Sequence, residues 1–143
     1  MRVLLIAIGN RLRRDDGVAH AVLERLGSAH DLNTRALLQL TPEVAAEIAD
    51  YESVIFIDAD TRGADVSIEP LRPLPWSPVL THVSSPREVV ALSRSLFGFA
   101  GQVFQCRIPV DDLSVGDGLS PRANMLVSTA AEGLEILLDQ LGL

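Results

Sequence analysis

At 143 residues the chain is one domain's worth. Size scaling leaves about 7,000 Å² of folded surface against about 22,000 Å² unfolded, so roughly two-thirds is buried. Charged residues make up 22% and hydrophobic ones 48%, which excludes a disordered tail. A formal charge of −7 and a pI near 4.8 set a repulsive average field against nucleic acid and anionic membrane surfaces.

Two absences narrow the chemistry. All 12 basic residues are arginine, which removes Walker-type phosphate binding, Schiff-base catalysis and any other mechanism that needs a lysine. The single cysteine, Cys106, forms no internal disulfide and no multi-cysteine zinc site, and it points to a reducing compartment. The apolar opening from Met1 to Ile8 runs straight into Gly9-Asn10 and a charged stretch, with no cleavage site of a leader peptide. No apolar run approaches the ~20 residues of a membrane span. These features predict a cytoplasmic protein, one domain over 1–143.

Val3 to Ile8 is continuously apolar and branched, as in a strand buried on both faces of a parallel sheet. From Asp16 the pattern turns helical through Val18, Ala21, Val22, Arg25 and Leu26, with Gly27 as a stop. Arg35 to Leu40 is a second strand. Thr41-Pro42 then supplies an N-cap and an N1 proline for a helix from Glu43 to about Asp50. Ser53 to Ile57 is a third, fully apolar strand, ending in Asp58-Ala59-Asp60. Val66 to Leu71 reads as a short edge strand, Pro70 to Pro78 as a loop, and Val79 to Thr81 as a short strand before His82.

Ser85-Pro86-Arg87-Glu88 fits a capping box opening a helix to Phe97, stopped by Gly98. Gln102 to Val110 is a strand. Ser120-Pro121 opens the last helix, with Met125, Ala130, Leu134, Leu137, Leu138 and Leu141 at its apolar positions. Strands alternating with capped helices predict an α/β fold: a single three-layer domain with a mainly parallel, twisted sheet flanked by helices.

In open α/β sheets, ligands bind beyond the carboxyl ends of the strands. Gly9-Asn10 and then Asp15-Asp16-Gly17 follow the first strand, Asp58 follows the third, and His82 follows the 79–81 segment. Carboxylates and an imidazole are thus delivered to one sheet edge, an open and weak set for a divalent transition metal. Asp15 has an equal reading as a dipole partner in the first helical turn. Asp15 and Asp16 point about 100° apart on a helix, so only one faces the site squarely. An unpaired buried Asp58 costs several kcal/mol, so it either pairs with an arginine such as Arg62 or binds something.

Other residues carry less. His20 lies four residues after Asp16, in a context that suits a core or rim histidine. Cys106 alternates within a strand as a core cysteine does. Ser84 is near His82 but has no nucleophile elbow and no third partner for a triad. Only Gly9 stands in the first strand-to-helix turn, so the dinucleotide fingerprint is missing. The arginines Arg11, Arg13 and Arg14 suit a solvated loop, and they also flank the site, where they could hold an acidic or carboxy-terminal peptide.

The ordered set Gly9-Asn10-x-Leu12-x-x-Asp15-Asp16-Gly17, Asp58-Ala59 and His82 resembles the hydrogenase maturation proteases. The likeness continues in Gln39-Leu40-Thr41-Pro42-Glu43 and in Gly116-x-Gly118-Leu119-Ser120-Pro121, nearly the whole chain. It implies a cytoplasmic endopeptidase that removes the carboxy-terminal extension of a nickel-iron hydrogenase large-subunit precursor after nickel insertion. The family's metal-contacting residues fall on Asp16, Asp58 and His82. Nickel would arrive with the precursor, so the free enzyme is expected to hold no tightly bound cofactor. Two departures touch distances only: the position of Asp16 is often glutamate in the family, and Ala19 stands where glycine is common.

With no credible serine, cysteine or lysine nucleophile, water is the expected attacker. The metal would polarise the scissile carbonyl or the water, and Asp16 or Asp58 would act as base. Asn10 would brace the loop or bind the peptide backbone, and Arg11 and Arg14 would contact the peptide. Two rivals remain: an inert metal-sensing or chaperone module using the same ligands, and a phosphoacceptor receiver domain. The latter lacks its required lysine here and places its acidic pair nearer the strand end.

Overall fold

The computed structural model describes residues 2–27, 32–72, 74–75 and 83–143. Strand β1 (Val3–Ile8) is buried along its whole length, because its side chains alternate between two cores. It leads through a 3₁₀ turn (Arg14–Gly17) into α1 (Val18–Gly27). Then follow β2 (Asn33–Leu37), α2 (Glu43–Ile48), β3 (Ser53–Asp60) and β4 (Ser67–Pro70). The chain closes with α3 (Pro86–Phe97), β5 (Gln102–Pro109) and α4 (Pro121–Gln140).

The five strands lie in the order β2-β1-β3-β5-β4, all parallel except β4, which runs antiparallel to β5 at the edge. Leu5, Ala7, Ile55, Ile57, Cys106 and Ile108 face α1 and α4. Leu4, Ile6, Val54, Phe56 and Val103 face α2 and α3. The expected three-layer, mainly parallel architecture is the one observed. Among the described residues, no helix is long and apolar enough to cross a membrane.

Several boundaries differ from the sequence expectations. The second strand spans Asn33–Leu37, not Arg35 to Leu40, because it pairs in register with β1 from Leu4↔Asn33 to Ile8↔Leu37. Past Leu37 no partner continues, and Leu38 is exposed. The first α-helix starts at Val18, not Asp16, since Asp15 and Asp16 belong to the 3₁₀ turn. Helix α2 stops at Ile48, short of Asp50. Its N-cap is Pro42, with no side-chain cap; the Thr41 side chain instead hydrogen-bonds the Glu43 carboxylate.

Helix α3 has the expected capping box, with Ser85 Oγ accepting from Glu88 N and Glu88 accepting from Ser85 N. Gly98 ends it in the left-handed conformation. On α4, Met125 is exposed. The buried face runs through Ala123, Val127, Ala130, Leu134 and Leu138, and Met125 stands two residues off that stripe, on the other side of the helix. Val79 to Thr81 and His82 lie outside the described residues, as do positions 73 and 76–78 of the Pro70 to Pro78 loop.

Candidate active site

The parallel register puts Ile8 of β1 beside Asp58 of β3, and Asp58 beside Arg107 of β5. Past Ile8 the chain turns at Gly9, whose φ of +153° lies where side chains are strained. A Cβ at Gly9 would sit 1.9 Å from the Asp16 carbonyl oxygen. Glycine therefore lets the 3₁₀ turn fold back against the strand end. The Asn10 amide, at 2.8 Å, donates to Asp16 Oδ2. Asn10 Oδ1 accepts from Leu12 N at 2.9 Å and closes an Asx turn. This is the loop-bracing role expected of Asn10.

Asp58 is mostly buried, and its carboxyl is pushed up from 3.8 to about 6. Burial is the largest cause, and the negative charges of Asp16 and Asp60 add to it; the Ala59 backbone hydrogen bond and Arg107 oppose it. Two of the three expected site residues, Asp16 and Asp58, thus share an electrostatic neighbourhood at the carboxyl edge of the sheet. Arg62 is not the partner of Asp58. Its backbone N–H, at 2.9 Å, and its Nε, at 3.5 Å, go to Asp60. Asp16 and Asp58 are the described oxygen donors that could touch a metal, and among the described residues no three metal-ligating side chains cluster. His82, the third expected ligand, lies outside the described residues.

Asp15 has a role that neither sequence reading contained. It is fully buried, and its Oδ1 accepts from Ser120 N at 2.7 Å. Its Oδ2 accepts from Ser120 Oγ at 2.8 Å, Asp112 N at 3.2 Å and Asp111 N at 3.4 Å. Burial raises the carboxyl, but these hydrogen bonds outweigh it and hold Asp15 below its ordinary value. It sits in the first turn of the 3₁₀ helix and, beyond either reading, is a clamp joining the loop after β1 to the segment that opens α4. Ser120 was legible as a cap, but a partner 105 positions away carries no local signal.

The flanking arginines are engaged within the chain. Arg11 pairs with Glu24 at 2.6 Å. Arg13 Nε donates to the Leu113 carbonyl at 3.2 Å, and Arg14 Nη1 donates to that of Asp117 at 3.2 Å. Arg14 Nε also lies 3.9 Å from Asp112. His20 is a core histidine: buried, with Nε2 donating to the Gly9 carbonyl at 2.7 Å, so it steadies the turn that carries Asp16. Cys106 is buried against apolar side chains, which push its thiol up to about 12 and leave it inert. Ser84 is exposed.

Solved structures share this architecture. The hydrogenase maturating endopeptidase HybD from E. coli superposes with a TM-score of 0.76 at 20% identity, covering 99% of this chain and 94% of that one. A [NiFe] hydrogenase maturation protease, HycI from Thermococcus kodakarensis, gives 0.73 at 22%, covering 96% and 92%. The hydrogenase 2 maturation peptidase from Thaumarchaeota archaeon SCGC_AB-539-E09 gives 0.70 at 22%, covering 99% of both chains. No family model and no curated protein sequence matches the chain. At such identities the likeness establishes the fold, which is that of the hydrogenase maturation peptidases over essentially the full chain.

Proposed function

We propose that this protein is an endopeptidase that removes the carboxy-terminal extension of a nickel-iron hydrogenase large-subunit precursor after nickel has been inserted. What supports the reading is that Asp58 ends its strand beside Ile8, within the electrostatic reach of Asp16, with its carboxyl pushed up to about 6 mainly by burial. The full-length fold match to structures named as a hydrogenase maturating endopeptidase and a [NiFe] hydrogenase maturation protease supports it. Asp16, Asp58 and His82 would contact nickel already held by the precursor. A set of oxygen and nitrogen donors can touch such an ion without extracting it from thiolates.

The base would be the carboxylate that the nickel leaves uncoordinated, and Asp58, near 6 in the free protein, suits that role at neutral pH with Asp16 then left on the ion. Asp58 takes a proton from the attacking water as its oxygen adds to the scissile carbonyl carbon. It returns that proton to the departing amine as the C–N bond breaks. Asp16, fixed by the Asn10 backbone N–H, stands near enough to add to the burial that raises the Asp58 carboxyl. Asn10, Arg11 and Arg14 are proposed contacts to the precursor peptide. For this Arg11 must exchange Glu24, and Arg14 must exchange Asp112 and the Asp117 carbonyl.

The test incubates the protein with purified precursor, with and without nickel, and reads precursor mass. Shortening confined to nickel-loaded precursor is expected, and it should vanish in His82→Ala with the circular dichroism spectrum unchanged. An intact precursor in the nickel-loaded sample would assign the chain to a metal-sensing or chaperone role instead. Unchanged cleavage by His82→Ala would remove that residue from the site.

A further inference from the structure

On the α2/α3 face of the sheet, beside the proposed catalytic carboxylates, lies a cavity of about 270 Å³ with Arg72, Arg87 and Arg107 in its wall. We propose that this cavity is an anion subsite that binds carboxylate groups of the peptide segment being cleaved. The identity of that peptide rests on the function proposed above; the site itself rests on the geometry that follows.

The charge balance is the first argument. In a chain of net charge −7, three arginines line this one cavity against a single acidic residue, Glu69. Five other arginines, at 11, 14, 35, 62 and 122, each have a carboxylate partner within 4.0 Å. Among the described residues, none of the three cavity arginines has one.

Their orientation is the second argument. Arg87 Nε donates to the Arg72 backbone carbonyl at 2.8 Å, and Arg107 Nη2 donates to Gln105 Oε1 at 3.0 Å. Both acceptors are neutral. They aim the planar forks without cancelling their charge, and among the described residues no other acceptor takes the remaining side-chain N–H groups of Arg87 and Arg107. A guanidinium fork so placed matches a carboxylate in two parallel hydrogen bonds.

Position is the third. Arg107 is the register partner of Asp58, and adjacent strands lie about 4.8 Å apart, so the subsite begins one strand away from the proposed base. Gln105 and Arg107 alternate with the buried Cys106 and Ile108 and so share the face of Val103, the face that α3 covers. A carboxy-terminal extension always ends in an α-carboxylate, whatever its sequence, and any Asp or Glu adds more. Arginine recognition therefore serves such a substrate without demanding one sequence.

The test is a titration of the whole protein, reading the arginine Nε–H resonances by NMR. The probes are acetyl-Ala-Ala-Ala with a free carboxylate, its amide, and acetyl-Ala-Asp-Ala amide. The two acidic probes distinguish the terminal from the side-chain carboxylate. Either should shift Arg87 and Arg107, while the neutral amide should not. Arg72→Gln/Arg87→Gln should weaken acidic-probe binding at least tenfold and raise KM for precursor processing more than it lowers kcat. These side chains are exposed, so folding is checked simply by an unchanged thermal midpoint. An equal response to the neutral amide, shifts confined to Arg11 and Arg14, or unaltered affinity in the double variant would overturn the subsite. Acidic-probe binding without any precursor cleavage would leave the subsite standing and refute the proposed function instead.

Discussion

Replacing Asp15 by alanine removes an acceptor that four donors share, and the distances set the expected cost. Two of the bonds are short, from Ser120 N at 2.7 Å and Ser120 Oγ at 2.8 Å; two are longer, from Asp112 N at 3.2 Å and Asp111 N at 3.4 Å. Hydrogen bonds to a charged group contribute about 1.5–3 kcal/mol each, and the long pair counts for less because the interaction weakens with distance. Water reaches the partly exposed donors after substitution and recovers some of the loss. The net is a destabilisation of about 3–5 kcal/mol. For a domain of this size that lowers Tm by roughly 10–20 °C.

Urea and thermal unfolding followed by circular dichroism measure the effect. Ser120→Ala alone should cost about 1–2 kcal/mol, since it also loses the cap to Ala123 N at 3.2 Å. The double variant should fall short of additivity by about 1 kcal/mol, because the two residues share a bond. The pH profile is a second readout. The Asp15 carboxyl is held below its unfolded value of 3.8, so its contribution is fully present above that value and disappears as pH falls through the lower folded one. Wild type should therefore lose more stability than Asp15→Ala as pH falls below about 4. A change within ~0.5 kcal/mol for Asp15→Ala, the range of ordinary surface substitutions, would refute the clamp.

Asp58 should behave with the opposite sign. Its value is raised from 3.8 to about 6, so the stability it contributes is present below the lower value and is lost as pH rises through the upper one. Asp58→Asn should gain roughly 1–3 kcal/mol at pH 8 while abolishing processing, and wild-type processing should climb with an apparent midpoint near 6. A variant no more stable than wild type at pH 8 would contradict the buried, crowded carboxylate. Gly9→Ala forces a Cβ to 1.9 Å from the Asp16 carbonyl oxygen at a φ of +153°, so the turn must rebuild. A loss of more than about 3 kcal/mol is expected in thermal unfolding; a normal Tm would show the turn to be slack.

The sequence by itself determined the layered α/β plan, and it did so through local chemistry. Uninterrupted apolar runs at Val3 to Ile8 and Ser53 to Ile57 suit only a strand covered on both faces, and Ser85 with Glu88 specifies a helix start within four residues. The candidates Asp16 and Asp58 were legible for the same reason, since each follows a strand whose end the pattern marks. What lies between distant segments was not. The end of β2 was decided by where β1 stops offering hydrogen bonds, and the exposure of Met125 by which stripe of α4 meets the sheet. The union of Asp15 with Ser120, the placement of Arg107 beside Asp58 and the gathering of Arg72 and Arg87 at one cavity came only with the tertiary structure. Side-chain partners far apart along a chain are chosen by how the layers pack, and no local propensity encodes that choice.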